Sequence, residues 1–142
     1  MIWKVVFIVV WLGALAVLDL RFRRVPVWLL AVGVVFVTVV SAYRCLSGSA
    51  WFAGIFWRLL PGISMLTVAG ATKKAGWADG IVQLLMGLLL NLQECAVCFC
   101  ISLAAISVVS MFLLVFQRVN RNFKLPYLPF LWIGYIAQVM LG

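Results

Sequence analysis

The stretch AVCFCISLAAISVVSMFLLVF, residues 96–116, runs for 21 residues without a charged side chain. In hydrocarbon only a helix or a closed barrel satisfies its own backbone N–H and C=O groups. About 20 apolar residues in a helix cross the roughly 30 Å core of a bilayer. The rest of the chain is built alike: 68% of its 142 residues are hydrophobic and 10% are charged. Water-soluble domains run at roughly 45–50% apolar and about 25% charged. Working outward, five more apolar segments read as spans, at about residues 2–18, 25–43, 51–71, 78–92 and 125–141. The fourth is the shortest and needs flanking residues or a locally thin bilayer. At about 20 residues per span plus loops, the length allows no more than these. The expectation is an all-α integral membrane protein, a bundle of six transmembrane helices forming a single domain over residues 1–142. No soluble domain, linker or internal repeat is left over.

The net charge is +8, yet nothing in it resembles a nucleic-acid footprint. Basic residues cluster between apolar runs and do not line a polar face. Residues 19–24, 72–77 and 117–124 hold eight of the eleven Lys and Arg. Lys4 and Arg44 fall on the opposite side, and Arg58 falls within the third segment. Lys and Arg accumulate in cytoplasmic loops, so these three connections are expected in the cytoplasm, with both termini outside. The first segment reads as an anchor: only Lys4 precedes its apolar run, and no small-residue cleavage site follows. Pro26 and Pro126 are expected at helix starts, where a missing N–H is harmless. Ser47-Gly48-Ser49 reads as a turn, and Pro61-Gly62 predicts a kink in the third segment.

Candidate chemistry narrows quickly. There is no histidine, which removes the commonest metal ligand and the usual general base near neutral pH. Only three residues are acidic: Asp19, Asp79 and Glu94. Glu94 falls in a short outer connection and reads as solvated. Asp19 ends the first segment and Asp79 begins the fourth, so the Lys/Arg bias puts both at the cytoplasmic boundary. Two carboxylates brought close share a proton. One can then act as general base on water while the other, protonated, polarises a carbonyl. Plainer readings stand beside this. Asp19 has Arg23 at i+4, the spacing of a helical ion pair. Asp79 suits a helix N-cap.

The stretch Asp19-Leu20-Arg21-Phe22-Arg23-Arg24-Val25-Pro26 resembles the first catalytic motif of type IV prepilin peptidases, an aspartate followed by basic residues and Ile/Val-Pro. Gly76-Trp77-Ala78-Asp79 is similar to that family's second motif, Gly-x-Gly-Asp. Leu125-Pro126-Tyr127-Leu128-Pro129-Phe130 is similar to its Pro-x-x-Pro lead into the last helix. The resemblance covers nearly the whole chain, and the three motifs come in order. It implies an intramembrane aspartyl endopeptidase with Asp19 and Asp79 as the catalytic pair. Arg23, Arg24, Pro26, Gly76 and Ala78 would be supporting motif residues. It also implies a prepilin-like substrate with a short basic leader and a hydrophobic N-terminal helix, cut at the cytoplasmic face of a bacterial or archaeal membrane. The basic loops would then face anionic lipid head groups or an acidic substrate residue.

The sequence departs from the family in places. Ala78 stands where glycine is usual, and Val27 replaces a frequent asparagine. The loop with two Cys-x-x-Cys pairs that binds zinc in many relatives is missing, which implies a peptidase-only form with no metal or other cofactor. Two rivals stay open: a small proton-coupled transporter or channel cycling protons on one membrane carboxylate, and an inactive relative that scaffolds pilus assembly, to which Ala78 points.

Cys95, Cys98 and Cys100 lie among apolar residues with no second pair, a pattern of packing more than of metal binding. Cys45 and Cys95 map to one face, leaving a disulfide open. Arg58, about seven residues into the third segment, reads as snorkelling to the interface, with a buried functional pairing as the alternative. Trp3, Trp11, Trp28, Trp51, Trp57 and Trp132 read mostly as interfacial anchors.

Overall fold

The computed structural model describes residues 2–48, 53–72, 76–116 and 125–142. Within them the chain is all-helical, with six helices: α1 Ile2–Phe22, α2 Val27–Leu46, α3 Ile55–Thr72, α4 Trp77–Leu89, α5 Leu92–Phe116 and α6 Leu128–Leu141. By length and composition α1, α2 and α5 can each cross a membrane; α3, α4 and α6 are shorter apolar helices. Lys73, Lys74, Arg118, Arg121, Lys124, Trp51 and Ser49, used above for topology, anchoring and a turn, lie outside the described residues.

Two compact units divide the chain. The first comprises residues 1–24 and 97–142. Here α1 packs on α6 through a stripe of Ile8, Trp11, Leu12, Leu15 and Ala16, the i, i+3, i+4, i+7 spacing of one helix face. Trp132 of α6 lies against Gly13 and donates from Nε1 to the Val9 carbonyl at 3.0 Å. At Gly134, α6 runs so close to α5 that a Cβ would stand 2.8 Å from the Cys98 carbonyl oxygen. Ser102 and Tyr127 hydroxyls, both buried, meet at 3.1 Å. Trp11, 4% exposed, and Trp132 are thus packing residues and not the anchors expected; Trp3, Trp28 and Trp57 do stand exposed.

The second unit is residues 25–96. Its centre is the α3–α4 pair, with α2 also packed on α4. Large groups on one helix face glycines on the other. A Cβ on Gly62 would meet Leu84, one on Gly80 would meet Leu66, and one on Gly87 would run into the Arg58 carbonyl oxygen. Small residues at this seam let the two backbones approach closely. α3 continues as helix through Pro61, whose carbonyl accepts from Ser64 Oγ at 2.7 Å. Behind the seam, Gln83 is buried and donates from Nε2 to Cys95 Sγ at 3.9 Å.

Several boundaries differ from the sequence reading. Pro26 is the N-cap of α2, but α6 starts at Leu128 with Pro129 in its first turn. Pro126 precedes that helix. α4 stops at Leu89 and α5 starts after only Leu90 and Asn91. Glu94 therefore sits in the first turn of α5, half-buried. Its Oε2 accepts from the Asn91 backbone N–H at 3.1 Å, the reciprocal contact of a capping box, so it is not simply solvated. Cys45, Cys95, Cys98 and Cys100 are all free thiols.

Candidate functional site

Asp19 lies inside a helix and not after one, because α1 continues to Phe22. What stops α1 is Arg23. Its φ of 52° is the one left-handed non-glycine backbone among the described residues, and its N–H donates to the Asp19 carbonyl at 2.9 Å. That is the single-bond left-handed cap usually made by glycine. For an L-residue with a side chain it costs roughly 1–2 kcal/mol. Arg23 is thus tied to Asp19 through the backbone, in addition to the i+4 side-chain spacing noted above. Arg24 is exposed.

A cleft of about 300 Å³ opens at this end of the first unit. It is lined by Asp19, Leu20 and Arg23 from α1, Leu113 from α5, and Leu125, Pro126, Pro129 and Phe130 around the start of α6. Residues about a hundred positions apart thereby surround one carboxylate. The Asp19 carboxylate takes a backbone hydrogen bond at Leu128. Its Oδ2 is buried with no hydrogen-bond partner. A polar atom left this way costs free energy unless something else occupies the space. Pro126 and Pro129 were visible in the sequence as part of a motif. Leu113 was not, because nothing in an apolar run marks which member lines a cleft.

Asp79 belongs to the second unit. The N-cap of α4 is Gly76, with φ −73° and ψ 133°, so Asp79 is not the cap; it stands three residues on, in the first turn. A carboxylate there favours the positive helix end. It folds back over Gly76, where a Cβ would stand 3.1 Å from Asp79 Oδ2 and 3.5 Å from its Cγ. A side chain at Gly76 would therefore require the carboxylate to shift by a few tenths of an ångström. Ala78, between them, has the ordinary helical backbone of the first turn. Nothing there needs glycine's left-handed freedom, so alanine imposes no local backbone strain. Pro26 starts α2, its carbonyl accepting from Leu29 N at 3.2 Å and Leu30 N at 3.3 Å.

The described residues hold no cluster of His, Cys, Asp and Glu suited to a metal ion. The chemistry on offer is that of carboxylates, a guanidinium and apolar walls. Compared with protein-family models, curated proteins and solved structures, the chain finds no match.

Proposed function

We propose that the chain is an intramembrane aspartyl endopeptidase that removes the basic leader of prepilin-like proteins. In this reading all six helices span the cytoplasmic membrane of a bacterium or archaeon, with both termini outside and Asp19 and Asp79 at the cytoplasmic face. α4 and α6, 13 and 14 residues long, are shorter than the roughly 30 Å core needs, so flanking residues and local thinning complete those spans. The observation that carries the reading is the Asp19 cleft. There the aspartate–arginine stretch and the Pro-x-x-Pro stretch line one cavity around a buried carboxylate oxygen that has no partner.

The proposed mechanism requires Asp19 and Asp79 to come together and share one proton. The ionised carboxylate takes a proton from water as its oxygen bonds to the scissile carbonyl carbon. The protonated one donates to the carbonyl oxygen, giving a tetrahedral diol. Collapse breaks the C–N bond: the proton held by the first carboxylate goes to the departing amine, and one diol hydroxyl returns its proton to the second carboxylate as the carbonyl re-forms. Neither metal nor organic cofactor enters, and no covalent intermediate forms. Arg23 would help hold Asp19 at the end of α1, and Gly76 would leave room for the Asp79 carboxylate.

The test is co-expression with a candidate prepilin, following leader removal by mass. Asp19→Asn and Asp79→Asn should each abolish it. Processing that survives either change sinks the proposal. An inert native chain that gains activity on Ala78→Gly would mark an inactive scaffold instead.

A further inference from the structure

A second charged site lies in the residue 25–96 unit, around the end of α4 away from Asp79. Arg58 is in the first turn of α3, nearer the helix end than the sequence suggested. Its side chain runs back along that end: Nε lies 4.0 Å from where a Cβ on Gly54 would stand. Nε and Nη1 are both buried, and neither has a hydrogen-bond partner. Arginine is always charged and presents its N–H groups in a rigid planar fork. Such a group is not left out of water without an anion or acceptor to meet it. The same end already carries a second cation. Arg44, in the last turn of α2, donates from Nη2 to the Leu89 carbonyl at 3.2 Å. The Arg58 backbone itself is pressed against Gly87 of α4.

The approach to Arg58 is apolar. Phe56, Trp57 and Leu60 beside it on α3 are 65%, 61% and 44% exposed. Exposed aromatic and aliphatic side chains on the same turns of α3 as a guanidinium with buried, unpartnered nitrogens fit a ligand that is anionic at one end and hydrocarbon at the other. Arginine forks match phosphate oxygens, and aromatic residues favour the depth at which lipid head groups lie.

We propose that Arg58, supported by Arg44, forms a phosphate-binding site that holds the head group of an anionic lipid. This stands independently of the peptidase reading. The full-length protein in a neutral detergent is titrated with a short-chain phosphatidic acid, the matching phosphatidylcholine, and inorganic phosphate, following tryptophan fluorescence. Phosphatidic acid should bind and be retained over phosphatidylcholine. Arg58→Gln should weaken it about tenfold or more, the loss of a charged hydrogen-bond pair. Arg58→Lys, which keeps charge and stem, guards against misfolding and should bind more weakly than wild type, since the fork is lost. Arg21→Gln, an equal charge change on α1, should bind as wild type does. Competition by inorganic phosphate at low millimolar concentration would make the source a soluble phosphate and keep the site. The proposal is overturned if the native protein binds none of the three probes, or if both Arg58 variants bind phosphatidic acid as tightly as wild type.

Discussion

Replacing Gly62 by alanine should destabilise the protein, although alanine is the better helix former. In an open helical position the exchange gains about 1 kcal/mol. At Gly62 the new Cβ would stand 2.6 Å from Leu84 Cγ and Cδ2, and 2.8 Å from the Leu84 backbone nitrogen. The leucine side chain can swing aside, but its nitrogen is fixed in α4, so the two helices must part. Overpacking of this kind costs about 1–3 kcal/mol. Parting also loosens the Leu66–Gly80 and Arg58–Gly87 contacts of the same seam. The clash offsets or outweighs the gain, leaving a net loss of up to about 2 kcal/mol. Gly70, on the same helix, is the control: a Cβ there would meet only the Trp77 ring, at 3.7 Å and 3.9 Å. Gly70→Ala should therefore keep most of the gain of about 1 kcal/mol. Thermal unfolding of both variants in one detergent, followed by far-UV circular dichroism, separates them. At roughly 3 °C per kcal/mol for a chain of this size, the two Tm values should differ by about 3–9 °C. Equal Tm values, or a Gly62→Ala protein more stable than wild type, would refute the close α3–α4 seam.

Two further substitutions probe the candidate site. Arg23→Gly should raise stability by about 1 kcal/mol by relieving the left-handed backbone at φ 52°; a lower Tm would mean that the arginine side chain contributes more than its backbone costs. Gly76→Ala should lower leader cleavage about tenfold or more at unchanged expression, since its Cβ displaces the Asp79 carboxylate, and small misplacements of a reacting group are costly; full activity would separate Asp79 from the chemistry.

Helix identity was legible for a simple reason. Uncharged runs such as residues 96–116 have no other way to satisfy their backbone away from water, and all six expected segments contain a helix. Ends were less legible. Asp19 was read as the end of a segment because it is charged, but backbone hydrogen bonding carries α1 on to Phe22, and the stop is the left-handed Arg23. Glu94 looked like a loop residue for the same reason, and is the first-turn cap of α5. Pro126 and Pro129 are equivalent as helix-starting signals, and the choice between them rests on where α6 begins.

By itself the sequence determined the helical class, the number of apolar segments, the scarcity of acids and the residues able to do chemistry. Those follow from composition and from spacing along one chain. The tertiary structure alone decided which residues share a space. It brought Leu113 and Pro126 to Asp19, laid the Asp79 carboxylate over Gly76, set Gly62 against Leu84, and left two buried nitrogens of Arg58 without an acceptor. The physical reason is that helix faces in a chain this apolar carry almost no polar–apolar contrast to mark what each will face. Contacts are then selected by shape and close approach between distant segments, which no local pattern encodes.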